Sequence, residues 1–66
     1  MDKRLLVILQ GLKVWLQDQA DSHKRSAEQA GYEGDEINSN YDSGAAYAFK
    51  LSAKKLEDII KQVSNV

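Results

Sequence analysis

Leu5, Leu9, Leu12, Leu16 and Ala20 recur in steps of four and three, the spacing that gathers side chains on one face of an α-helix. Ala45, Phe49, Ser52, Leu56, Ile59, Val63 and Val66 repeat that spacing towards the other end. No proline interrupts either stripe in the 66 residues. The predicted fold is therefore all-α, with two helices and the connection between them. Helix 1 is expected over about residues 2–30, with Asp2 in the first turn, where its charge meets the positive end of the helix dipole, and Gly31 as the stop. Residues 31–42 mix glycine, asparagine and serine with Glu33, Asp35, Glu36 and Asp42, residue types that compete with or end helices. An acidic loop is expected there, with Glu33 and Asp35 exposed and dispensable for stability. Helix 2 is expected over about residues 43–64, capped by Asp42 or Ser43. Ile37 and Tyr41 continue its spacing backwards, which leaves an earlier start near Asp35 open.

Two helices of similar length joined in this way predict an antiparallel hairpin spanning residues 1–66 as a single domain. The residue types then pair in layers: Leu9 with Val63, Leu12 with Ile60, Leu16 with Leu56, Ala20 with Ser52 and Ala27 with Ala45. Small residues at the loop end, with Gly44, Ala48 and Ser52 spaced four apart, predict the closest approach there.

One hairpin buries one stripe per helix, and a core this small supplies only about 3 to 5 kcal/mol. With no cysteine, no disulfide or thiolate-held metal is available to compensate. The first half of helix 1 is apolar most of the way round, Val7 and Val14 lying nearly opposite the stripe. The expectation is a homodimer forming a four-helix bundle, with Leu5, Ile8, Leu12 and Trp15 as its self-association residues and Trp15 as anchor. Docking on a different protein, or on a membrane, competes with that outcome. The membrane is disfavoured because Lys3, Arg4 and Lys13 are interspersed with Gln10, Gln17 and Asp18 rather than gathered into a basic face. A span is not expected either, since about 20 consecutive apolar residues are required. The run Leu5–Leu9 lacks a small-residue cleavage site, so no export signal is read and a cytoplasmic location is expected.

The residues that carry chemistry are few. His23 is the single histidine, with no cysteine, second histidine or recognisable nucleophile around it in sequence. A structural histidine is expected, and neither a metal nor a cofactor. Glu36, Asn38, Asn40 and Asp42 alternate as calcium-loop ligands do, but Tyr41 and Tyr47 stand where such a loop requires glycine and glutamate. Lys50, Lys54, Lys55 and Lys61 lie among Glu57 and Asp58 with no arginine or aromatic platform, a thin basis for nucleic-acid binding. Tyr32, Tyr41 and Tyr47 flank the acidic connection and are candidate contacts for a protein partner.

Asn40-Tyr41-Asp42-Ser43-Gly44-Ala45-Ala46-Tyr47-Ala48-Phe49-Lys50, running into Lys55-Leu56-Glu57-Asp58-Ile59-Ile60, resembles the second helix of small uncharacterised helical proteins of phages and prophages. The likeness covers about a third of the chain and transfers no functional residue. It implies a setting in which short proteins bind and redirect other proteins. The expected function is non-catalytic: a self-associating helical module that adapts, regulates or inhibits another protein. The alternatives are a small-ligand binder with a site between protomers, near His23 and the helix 2 lysines, and then a weakly basic regulator that associates with nucleic acid. An enzyme comes last.

Overall fold

A computed structural model describes residues 2–64. Helix α1 (Lys3–Tyr32) and helix α2 (Glu36–Ser64) pack against each other along their length. The direction is antiparallel: Ser39 meets Ala27, Asp42 meets His23, and Phe49 meets both His23 and Trp15. Asp2 caps α1 by accepting a hydrogen bond from the Arg4 amide at 2.8 Å.

The expected acidic loop over residues 31–42 is not there. Only residues 33–35 connect the helices, and α2 begins at Glu36, in line with the earlier start near Asp35 that Ile37 and Tyr41 left open, rather than near Asp42 or Ser43. Gly31 is not the stop; Gly34 is, at φ +77°, where glycine adopts the left-handed conformation without steric cost. The Asp35 amide donates to the Ala30 carbonyl at 2.8 Å and the Gly34 amide to Gly31 at 3.2 Å, closing the end of α1. Asp35 then starts α2 by accepting from the Asn38 amide at 3.2 Å and the Asn38 side-chain amide at 2.6 Å. Residues 38–42 are helical despite their weak propensity because two of them are used across the seam. Ser39 Oγ donates to the Ala27 carbonyl at 3.1 Å and Asp42 bonds His23.

This geometry separates two acids that looked alike in sequence. Glu33 only accepts from the exposed Gln29 side chain, so Glu33→Ala is expected to change stability by less than about 0.5 kcal/mol. Asp35→Ala removes a helix cap and is expected to cost about 1 kcal/mol. Urea unfolding of the two variants side by side checks the difference.

The seam is also rotated from the predicted stripe. On α1 the buried and half-buried positions include Leu6, Leu9, Lys13, Leu16, Ala20, His23, Ala27 and Ala30, while Leu5 and Leu12 are exposed. On α2 they include Asp42, Ala46, Phe49, Ala53, Leu56, Ile60 and Val63, while Ser52 and Ile59 are exposed. Val66, the last member of the predicted stripe, lies outside the described residues. The small residues decide the rotation. Ala27, Ala30 and Ala53 are buried where the helices approach, and stepping back along α1 from them by sevens leads to Leu6 and Lys13 instead of Leu5 and Leu12. Lys13 tolerates this because its aliphatic stem covers apolar surface while the charge reaches water. Gly44, Ala48 and Ser52 do not form the close approach; all three are exposed, and a Cβ on Gly44 would meet nothing.

Candidate functional site

The centre of the seam holds a polar layer. The His23 ring stacks on Phe49 with centroids 5.5 Å apart and planes 10° from parallel. Its Nδ1 lies 2.8 Å from Asp42 Oδ1, and because a carboxylate only accepts, Nδ1 carries the hydrogen of that bond. Both side chains are partly buried. The bond spans the two helices, so it defines their register, as single polar residues do in helical seams. His23 thus lies in the seam, and Asp42 was not anticipated as its partner. The signal was present: once α2 is extended back to Glu36, Asp42 falls seven residues before Phe49 on the seam. Among the described residues, no group of three or more His, Cys, Asp and Glu is placed to hold a metal ion.

Either side of the seam has a different character. The residues one position after it, Gln17, Asp21 and Lys24 of α1 with Lys50, Lys54 and Glu57 of α2, line one open groove together. That side is charged. His23 is not among the residues that line this groove. Lys54 instead pairs with Asp58, and Lys61 with Glu57, each at 3.3 Å within α2. Such exposed pairs contribute little.

The positions one residue before the seam share the opposite face. On α1 these are Leu5, Ile8, Leu12 and Trp15, each directly preceding Leu6, Leu9, Lys13 and Leu16. They form a second apolar stripe, turned about 100° from the first. Leu5 is 48% exposed, Ile8 65%, Leu12 45% and Trp15 52%. Trp15, the expected anchor of self-association, also meets Phe49 of its own chain, with ring centroids 6.0 Å apart at 83°. Trp15 therefore belongs to the rim of the intrachain contact as well as to the exposed stripe. On α2 the same face carries Ala48, Ser52, Lys55 and Ile59.

Tyr32, Tyr41 and Tyr47 are all largely exposed. Tyr41 and Tyr47 are six residues apart on α2 and so point about 120° away from each other, and Tyr32 ends the other helix. What the loop end shares is charge. From Ser26 to Phe49 there is no lysine or arginine, while Glu28, Glu33, Asp35, Glu36 and Asp42 fall in that span.

No family model, curated protein or solved structure matches the chain. Among the described residues, no helix is long and apolar enough to cross a membrane.

Proposed function

We propose that this chain is a non-catalytic interaction module that self-associates through the stripe Leu5, Ile8, Leu12 and Trp15 into a four-helix bundle and presents its acidic loop end to another protein. The observation that carries the reading is the imbalance between core and surface. Among the described residues the buried ones are Ala27, Ala30, Ala53 and Ile60, and no large side chain is fully buried, whereas four large apolar side chains stand in register on one face. Three alanines and one isoleucine are a small core for two helices of 30 and 29 residues. Area points the same way. The hairpin exposes 5172 Å², whereas a compact monomer of 7.4 kDa exposes about 4200 Å². The excess of about 1000 Å² is comparable to the roughly 800 Å² that each partner loses in a standard interface. A second copy laid on the apolar face removes both imbalances at once.

Sedimentation equilibrium at tens of micromolar tests the self-association. The natural chain is expected at twice 7.4 kDa, and Ile8→Glu at 7.4 kDa. Leu51→Glu is the control, because Leu51 is a similarly exposed apolar residue on α2 that lies away from this face. It should leave the mass doubled. A monomeric natural chain would overturn the reading.

A further inference from the structure

We infer that the two copies meet antiparallel and staggered, α1 against α1, so that only the open halves of the hairpins overlap and the two acidic loop ends point in opposite directions. This rests on the self-association proposed above and adds its geometry. The apolar face is one-sided, so a two-fold axis joining two copies face to face must lie in the plane between them. An axis along the hairpin would set α1 over α2 of the partner subunit. The residues of α2 on this face beside the open end are Ser52, Lys55, Ile59 and Gln62, of which three are polar, and they would meet the apolar stripe poorly. An axis across the hairpin sets α1 over α1 instead.

Where that axis falls is fixed by how the stripe ends. Continued by the same spacing beyond Trp15, the face of α1 reaches Gln19, Ser22 and Ser26. Full overlap of the two hairpins would lay Leu5, Ile8, Leu12 and Trp15 on those polar residues. Centring the axis near Gln10 lays Leu5 on Trp15 of the partner subunit and Ile8 on Leu12 of the partner subunit, apolar on apolar along α1. The charge distribution also favours an axis across the hairpin, since an axis along it would set the two lysine- and arginine-free loop ends, with five acids each, side by side. The resulting assembly is bivalent, with one free acidic end at each extremity.

The arrangement has a length that can be measured on the unmodified protein. One hairpin is 49 Å long. At about 1.5 Å per residue from Gln10 to Gly34, doubled about the axis, the staggered dimer extends about 75 Å. A lengthwise or fully overlapped dimer would remain close to the length of one hairpin. Small-angle X-ray scattering gives mass and maximum dimension from one sample. A doubled mass with a maximum dimension near 75 Å is the expected result. A doubled mass near 50 Å overturns the stagger and leaves self-association standing, whereas a single-chain mass overturns the self-association on which the stagger rests.

Discussion

Ile60→Ala is expected to remove about 2 to 4 kcal/mol, the cost of a buried aliphatic side chain plus the cavity it leaves. Ile60 is 7% exposed and is the one large side chain among the buried residues. Against the few kcal/mol that an isolated core of this size supplies, such a loss would leave the variant largely unfolded at low concentration. Its neighbour gives the contrast. Ile59 is 48% exposed, so Ile59→Ala should cost less than about 1 kcal/mol even if it touches a second copy at the edge. The pair therefore reads out the rotation of α2 directly. Urea titrations followed by far-UV circular dichroism, at one fixed protein concentration, should give a much lower midpoint for Ile60→Ala than for Ile59→Ala. The opposite order would restore the seam that large apolar residues alone predicted, through Ile59 and Ser52.

Why those large residues misled is visible in the same two positions. Periodicity specifies that a helix has an apolar face, and both helices and their antiparallel packing follow from it. It does not specify which of two adjacent stripes faces the partner helix when both are apolar. Leu5, Leu9, Leu12 and Leu16 trace a continuous line by eye, but that line crosses from one stripe to the other: Leu9 and Leu16 are in the seam, and Leu5 and Leu12 are beside it. The deciding residues are small. Ala27, Ala30 and Ala53 permit close approach, and the rest of the register follows from them, including the half-buried Lys13. The connection failed for a related reason. Asn38, Ser39 and Asp42 have low intrinsic helix propensity, but propensity is a weak prior beside tertiary bonding. Ser39 and Asp42 reach across to Ala27 and His23, contacts that become apparent only once the helices are placed side by side.

The candidate interaction face was legible in part. Leu5, Ile8, Leu12 and Trp15 could be read as surplus apolar surface because one helix cannot cover all of α1. That they form a single stripe on one side, with charged groove residues on the other, needed the seam to be fixed first. The tyrosines show the converse. Grouping in sequence suggested a patch, but α2 begins early enough that Tyr41 and Tyr47 project in different directions, and the shared property of the loop end is acidity rather than aromaticity.

Phe49→Ala is expected to have the second large effect, because one ring holds two contacts on α1. Phe49 lies against Trp15 edge-on and against His23 face to face. Truncating a buried phenylalanine costs about 3 to 5 kcal/mol, and Phe49 is only half-buried, so about 2 to 3 kcal/mol is expected here. Part of that comes from the aromatic geometry itself, since an edge-to-face pair is worth about 0.5 to 1.5 kcal/mol beyond its burial. Phe49→Leu keeps most of the volume and loses only this part. It should therefore recover more than half of the stability lost in Phe49→Ala. Trp15 is the single tryptophan, so its fluorescence reports the contact without a label. In Phe49→Ala the indole loses the ring beneath its edge, and its emission should shift to the red even at urea concentrations where circular dichroism shows the helices intact. Because Trp15 also lies on the proposed interface, the same variant should dimerise more weakly than Phe49→Leu. If the two variants have equal stability and identical emission, Phe49 acts only as bulk in the seam and does not position Trp15.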